Sequence, residues 1–139
     1  MNIKPATEKD IKFIQDLQFR VGPWNSGTVP TWDDDELPEM FKDKLCFVAY
    51  DGNKPVGFII GAKLRPFGAM LWNAAVEPEY QNRFVGPKLI KHFEDAAKAA
   101  GILWIVSYSK HDFGNQDIIE RGGRKYYIGG KFTEVITIL

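Results

Sequence analysis

The residues best placed to do chemistry are the six from 81 to 86, because they join a predicted strand to a predicted helix. Residues 69–76 are an almost unbroken apolar run, which is typical of a strand buried on both faces. Pro87 suits the first turn of a helix, in which apolar residues recur at helical spacing until Gly101 ends it. Backbone N–H groups in a loop that enters a helix N-terminus form an anion site, and a diphosphate would fit there.

Length and composition limit what else the chain could be. Its 139 residues fit one domain, 1–139, and 45% hydrophobic residues are enough to bury a core. The formal net charge is zero, with 18 basic and 18 acidic residues, which argues against nucleic acid as a partner. Residues 1–12 lack the apolar core of a signal peptide, and no apolar run reaches the ~20 residues that cross a bilayer. We therefore predict a cytoplasmic protein with no membrane partner.

The single cysteine, Cys46, lies in an apolar run, and we predict that it is a small core residue. One cysteine cannot form an internal disulfide, and the sequence contains no Cys/His spacing that would hold a metal ion. We therefore expect neither a disulfide nor a metal site.

The strand, loop and helix resemble motif A of the GCN5-related N-acetyltransferases (the GNAT family), a strand followed by V-x-P-x-[YF]-Q-x-x-G-x-G. The positions that fit are Val76, Pro78, Tyr80, Gln81, Arg83 and Gly86. Phe84 stands where the family has its first glycine, the residue type that lets a backbone approach a phosphate closely. The resemblance implies that the loop binds the pyrophosphate of acetyl-coenzyme A (acetyl-CoA).

The resemblance also implies which residues contact the coenzyme. They are Ala75, Val76, Gln81, Asn82, Arg83, Phe84, Val85, Gly86, Lys88 and Asn115. We expect Arg83 or Lys88 to add positive charge near the pyrophosphate. A backbone N–H of the central strand, at Val76 or a neighbour, would polarise the carbonyl of the thioester.

The remaining elements predict the fold. Residues 45–50 and 55–64 flank a hairpin turn, and residues 103–108 form a second buried strand. In the family that strand starts beside the central one and then splays away from it. A short helix is predicted over residues 115–121, followed by a terminal hairpin. We predict an α/β fold with one GNAT-like domain: a mixed, mostly antiparallel sheet of six or seven strands with helices on both faces.

The side chains that the family uses for proton transfer are missing. Ile119 falls where many members have a tyrosine acid, and Met70 falls where some have a glutamate base. His111, with an ordinary pKa near ~6.5, could take a proton from the amine. Tyr108 could donate one to the departing thiolate. Both are weak candidates, since a loop histidine is usually idle and such a tyrosine is usually in a core.

The region between the first helix and the second strand borders the acceptor site in the family. Trp24 and Trp32 either seal the core there or form the wall of a substrate pocket. Asp33 opens an acidic run that either begins a helix or attracts a cationic amine. The acceptor would be a small-molecule or peptide amine.

Two classes of function stay open at this stage. One is an N-acetyltransferase that moves an acetyl group from acetyl-CoA to an amine. The other is a catalytically degenerate protein of the same fold that binds a ligand or partner. A homodimer is left open.

Overall fold

The computed structural model of the chain describes residues 1–21, 32–64, 66–109, 118–121, 124–129 and 132–139, with side chains up to residue 107 and from residue 136. Within these residues the helices are α1 (Ile11–Val21), α2 (Glu36–Phe41) and α3 (Val85–Ala99). The strands there are β1 (Asn2–Pro5), β2 (Cys46–Asp51), β3 (Lys54–Leu64), β4 (Gly68–Val76), β5 (Trp104–Ser109), β6 (Ile118–Arg121), β7 (Arg124–Gly129) and β8 (Phe132–Ile138).

The strands form one sheet in the order β1-β2-β3-β4-β5-β8-β7-β6. The β4–β5 pair is parallel, because α3 carries the chain across the sheet between these two strands, and the other pairs are antiparallel. The predicted fold class, a mixed and mostly antiparallel sheet with helices on both faces, is confirmed. β4 lies inside the sheet, as its apolar sequence indicates.

The sheet has eight strands in the described part of the chain, against the six or seven predicted. The additional strand is β6, in the region where a helix was predicted over residues 115–121; residues 115–117 lie outside the described part. The ladder of β6 with β7 runs to Arg121 opposite Arg124, so the two strands form a tight hairpin. Two consecutive β-branched residues, Ile118 and Ile119, favour a strand, and a Gly-Gly pair is a common hairpin connection. The helix prediction was wrong because those glycines were taken as a helix stop.

Each face of the sheet carries its own core. Successive side chains of a strand point to opposite faces. In β2, Cys46, Val48 and Tyr50 lie in the core that α1 and α2 cover, whereas Phe47 and Ala49 lie in the core that α3 covers. The predicted burial of Cys46 is confirmed, with 3% of its surface exposed.

α3 packs closely against β3 because glycines of that strand leave room for it. A Cβ atom at Gly61 would overlap the Phe93 ring. A Cβ atom at Gly57 would lie 3.2 Å from Leu89 Cδ1 and 3.1 Å from the carbonyl oxygen of Ala75. The helix therefore lies directly against β3. In the described part of the chain, no helix is both long and apolar enough to cross a membrane.

Candidate functional site

The site lies where β4 and β5 separate. Their parallel pairing runs from Gly68 opposite Trp104 to Leu71 opposite Ser107 and stops there. β4 continues to Val76, while β5 stays paired with β8 as far as Ser109. On the side facing β5, the backbone N–H and C=O groups of residues 72–76 therefore have no strand partner among the described residues. The two strands start side by side and then separate, as the resemblance to the GNAT family implies.

A bulge in β4 lies at the point of separation. Ile60 of β3 pairs with Asn73 and Gly61 pairs with Leu71, which leaves Trp72 as an extra residue. A bulge increases the local twist and shifts the side-chain alternation by one position. Leu71 and Ala74 accordingly pack on the α3 face, while Ala75 lies in the core beneath α1 and α2. Trp72 and Asn73 therefore both belong to the α1/α2 face.

The loop that follows β4 presents its backbone toward the start of α3. Residues 78–80 form a single 3-10 turn, and Asn82 and Phe84 then adopt left-handed conformations, each with φ of 63°. The first bond of α3 runs from Lys88 N–H to the carbonyl oxygen of Phe84. Helix geometry leaves the preceding N–H groups, those of Phe84, Val85 and Gly86, without a partner inside the helix, and Pro87 has none. Together with the helix dipole, these donors favour an anion.

Phe84 keeps the backbone conformation that glycine adopts most easily. At φ 63° and ψ 17° it is left-handed, which costs an L-residue about 1–2 kcal/mol. The residue is 73% exposed and lines a cavity at the start of α3. Phe84 therefore has a backbone conformation that suits glycine, and its exposed side chain forms part of the cavity wall.

Two cavities follow the loop and β4. One of about 430 Å³ lies at the start of α3 and is lined by Val76, Tyr80, Gln81, Asn82, Phe84, Val85, Gly86 and Pro87. The other, about 280 Å³, reaches the end of α1 and is lined by Val21, Ala74, Ala75, Val76, Gln81, Gly86, Leu89 and Ile90. They share Val76, Gln81 and Gly86, so they form one trough from the loop along β4.

Most of the residues predicted to bind coenzyme line this trough. Of the others, Arg83 places its guanidinium over the Tyr80 ring, 5.1 Å from the centroid, and Lys88 is exposed in the first turn of α3. Asn115 lies outside the described residues. The Nε2 group of Gln81 donates to the carbonyl oxygen of Val76 at 3.2 Å, so this side chain ties the loop to the end of β4.

Hydrogen bonds to charged side chains link the neighbouring elements to residues beside the loop. Arg20, at the end of α1, donates to both carboxylate oxygens of Glu77, at 2.6 and 3.1 Å, and the hydrogen bond raises the pKa of Arg20. The Tyr80 hydroxyl donates to Asp51 Oδ2 at 2.8 Å, and this bond raises the pKa of Tyr80. α1 and the β2–β3 hairpin are thereby both attached to residues beside the loop.

On the α1/α2 face, Trp32 occupies the edge of the core. Its ring is partly buried there and meets the exposed ring of Trp72 edge-on, with centroids 6.0 Å apart. The carbonyl oxygen of Asp33 accepts from the N–H groups of Glu36 and Leu37, so Asp33 begins the turn that enters α2 while its side chain is exposed. Trp24 lies outside the described residues.

The structure describes little of the two candidate catalytic residues, His111 and Tyr108. His111 is outside the described residues. Tyr108 is described only by its backbone, which lies in β5 and pairs with Glu134 of β8. Met70 pairs with Ala62 and Val106 inside the sheet, so no carboxylate occupies that position. Sequence reasoning missed Trp72, because nothing in an unbroken apolar run marks which residue will form a bulge.

The trough is built from the strand, loop and helix whose sequence resembles motif A of the GNAT family. The chain belongs to the acetyltransferase (GNAT) family, whose sequence profile matches residues 11–118. A comparison with curated protein sequences gives no match.

Solved structures share the fold over nearly the whole chain. Ard1 from Thermoplasma volcanium has a TM-score of 0.73 at 15% identity, covering 99% of this chain and 97% of that one. PaiA N-acetyltransferase from Thermoplasma acidophilum, solved in complex with coenzyme A, has 0.73 at 14%, covering 99% and 98%. The ribosomal-protein-S18-alanine N-acetyltransferase from Escherichia coli has 0.68 at 20%, covering 97% and 90%. At these identities the likeness shows a common fold.

Proposed function

We propose that this protein is an N-acetyltransferase that moves the acetyl group of acetyl-CoA to an amine. The observation that carries the proposal is the separation of β4 from β5 after Leu71 and Ser107, next to a loop that opens a helix. It leaves an unpaired strand edge for the pantetheine amides and a helix N-terminus for the pyrophosphate. Membership of the GNAT family supports the reaction and the co-substrate.

The residues of the trough suit such a coenzyme. The N–H groups of Phe84, Val85 and Gly86 would bind the pyrophosphate, with Asn82 beside them and with Arg83 and Lys88 adding charge. The pantetheine arm of the coenzyme would follow the backbone of β4 toward the end of α1, where the second cavity lies. Gln81, at the junction of the two cavities, would keep the loop attached to that strand. Asn115 completes the proposed set.

The chemistry needs little from side chains. Acetyl-CoA supplies the acetyl group as a thioester, so a C–N bond forms, the C–S bond breaks, and the sulfur leaves as the thiol. The backbone N–H of Val76 or Ala75 would polarise the thioester carbonyl, a role that any residue type can fill. The amine would then attack directly; His111, as a proton acceptor from the amine, and Tyr108, as a proton donor to the sulfur, are the side-chain candidates for assisting it.

The acceptor would arrive on the α1/α2 face, where Trp24, Trp32 and Asp33 are proposed to line its path. The exposed carboxylate of Asp33 suits an amine, which is cationic before it loses its proton. A small molecule and a peptide both carry such a group.

A binding module without catalysis is the second candidate. Met70 and Ile119, at positions where family members have a base and an acid, favour it. Absence of turnover with any amine, despite tight binding of acetyl-CoA, would establish it.

Titration calorimetry in low salt tests the coenzyme site. Heat of binding with coenzyme A and with acetyl-CoA is expected, and its absence with both would contradict the proposal. A panel of amines with a free-thiol readout then tests transfer.

Trp24→Ala should weaken binding of the acceptor amine and leave coenzyme affinity unchanged. Equal losses of both affinities, with a lower Tm, would identify Trp24 as a core residue.

A further inference from the structure

One aromatic side chain in the wall of the trough has no ring partner in the described part of the chain. Phe84 is 73% exposed and lines the cavity of about 430 Å³ at the start of α3. Among the described residues, no other ring and no cation packs on it. An exposed apolar residue is ordinary on a protein surface, but one in the wall of a cavity of this size offers a contact to a ligand.

Tyr80, the other described aromatic residue in the wall of this cavity, is already engaged. The guanidinium of Arg83 lies 5.1 Å from the centroid of its ring, and Lys54 Nζ lies 5.4 Å from the same centroid. Cations are attracted to the face of an aromatic ring. The Tyr80 hydroxyl donates to Asp51 Oδ2 at 2.8 Å, which fixes the ring further. Phe84 is therefore the described aromatic residue of this cavity that is left for a ligand.

Phe84 also lies at the end of the trough where adenosine would be. Its own N–H is one of the proposed pyrophosphate donors, so the ring and that donor belong to one residue. Phe84 lines the first cavity and not the second, which is proposed to take the pantetheine arm. In coenzyme A the adenine is joined to the pyrophosphate through the ribose alone, on the side opposite to the pantetheine arm. The base would therefore come within reach of the ring.

We propose that the Phe84 ring stacks against the adenine of coenzyme A and makes the protein select the complete coenzyme over a phosphopantetheine group that lacks the nucleotide. This inference rests on the proposed coenzyme site. Every base presents a flat π-face, so stacking on an aromatic side chain requires no further group in a fixed position. Glycine, the residue of the family motif at this position, allows a close approach of the backbone but has no side chain to stack.

Titration calorimetry with coenzyme A and with 4′-phosphopantetheine, which lacks the adenine nucleotide, tests the selection. Phe84→Leu removes the ring and keeps an apolar side chain, whereas Phe84→Tyr keeps a ring. Phe84→Leu should weaken coenzyme A by roughly tenfold, the usual contribution of one stacked base, and should leave 4′-phosphopantetheine unchanged. Phe84→Tyr should bind both ligands as the wild type does.

Proton NMR of the bound coenzyme reports on the stacking itself. The adenine H2 and H8 resonances should move upfield on binding to the wild type and to Phe84→Tyr, because they enter the shielding region of a ring. They should stay near their free positions with Phe84→Leu. Phe67→Leu is the matched control, since Phe67 is also left-handed and exposed but precedes the other end of β4; it should leave affinity and shifts unchanged.

The outcomes separate this inference from the proposed function. Equal or tighter binding of coenzyme A by Phe84→Leu, or equal weakening of both ligands, would overturn the stacking and leave acetyl transfer standing. Upfield adenine shifts that depend on the Phe84 ring, in a protein that turns over no amine, would support the stacking and contradict acetyl transfer. Absence of any binding of coenzyme A would contradict both.

Discussion

Phe84 occupies a backbone conformation that suits glycine, and its ring is largely in solvent. The left-handed conformation has an energetic cost, and few contacts of an exposed ring offset it. Phe84→Gly is therefore expected to stabilise the protein by roughly 0.5–1 kcal/mol, after allowing for the greater entropy of the unfolded chain. Thermal unfolding measures this as a rise in Tm of about 3 °C.

Phe84→Ala is the control for that substitution, because it removes the ring and keeps the Cβ atom that disfavours the conformation. It should leave Tm near the wild-type value. If the ring crowds the pyrophosphate, both variants bind coenzyme A more tightly in calorimetry. A lower Tm in Phe84→Gly would show that the ring stabilises the loop and that strain is unimportant.

The buried thiol of Cys46 should make the free energy of unfolding fall as the pH rises in the alkaline range. Burial raises the pKa of its thiol from 9.0 to about 11. The folded state disfavours the thiolate, so the contribution of the buried thiol is complete below pH 9 and is lost as pH rises toward 11. Between pH 8 and 10.5, the free energy of unfolding should fall by roughly 2 kcal/mol more in the wild type than in Cys46→Ala.

Urea unfolding at the two pH values measures that difference. Tyr50, whose pKa burial raises to about 12, is present in both proteins, so the comparison cancels its contribution. Identical falls in the two proteins would mean that the thiol titrates normally in the folded state.

Among the elements, the end of α1 is attached to the segment that leads from β4 into α3. The bidentate pair of Arg20 with Glu77 makes this link, and the Glu77 side chain is only 14% exposed. Glu77→Gln should reduce the free energy of unfolding by about 1 kcal/mol at low salt, less at high salt. Glu39→Gln is a matched control: its pair with Lys42 is 70% and 69% exposed, and the expected change is close to zero. Equal changes in the two variants would contradict a special role for Arg20–Glu77.

Elements with a clear period or turn could be predicted from sequence, whereas those that depend on tertiary pairing could not. The hairpin of β2 and β3 and the helix α3 carry their own signals, namely a turn between apolar runs and a stripe at helical spacing. Residues 118–121 carry only a short signal, two β-branched residues before a Gly-Gly pair, and pairing with β7 decides their conformation. The bulge at Trp72 could not be predicted either, because an apolar run without alternation does not indicate how the strand pairs with its neighbour or which residue is extra.

The candidate site shows the same division. The motif between β4 and α3 identified the loop and the residues that line the trough. Sequence gave no sign that Phe84 would keep a glycine conformation, since a bulky residue there is an outlier by type. It also could not reveal that Phe84 would be 73% exposed beside the cavity, because exposure is a property of packing.

At the scale of the whole molecule, the fold offers the proposed acetyl transfer a trough and backbone N–H donors, whereas the sequence offers few side chains that could transfer protons. Methionine at 70 and isoleucine at 119 leave neither a glutamate base nor a tyrosine acid at the family positions. We therefore expect the amine to attack directly, helped by positioning and by backbone N–H groups on the thioester carbonyl. The rate should be modest, since general acid–base help typically contributes ~10²–10⁴-fold.

Such a reaction should become faster with rising pH, because the unprotonated amine becomes commoner toward the pKa of about 10 of an aliphatic amine. His111 is the side chain that could change this profile, with an ordinary pKa near ~6.5. Steady-state rates across pH, in the wild type and in His111→Ala, separate the two cases. A rate that rises to high pH alike in both proteins would support direct attack. A limb at about pH 6.5 that disappears in His111→Ala would make His111 the base, in place of the glutamate that some family members have on the central strand.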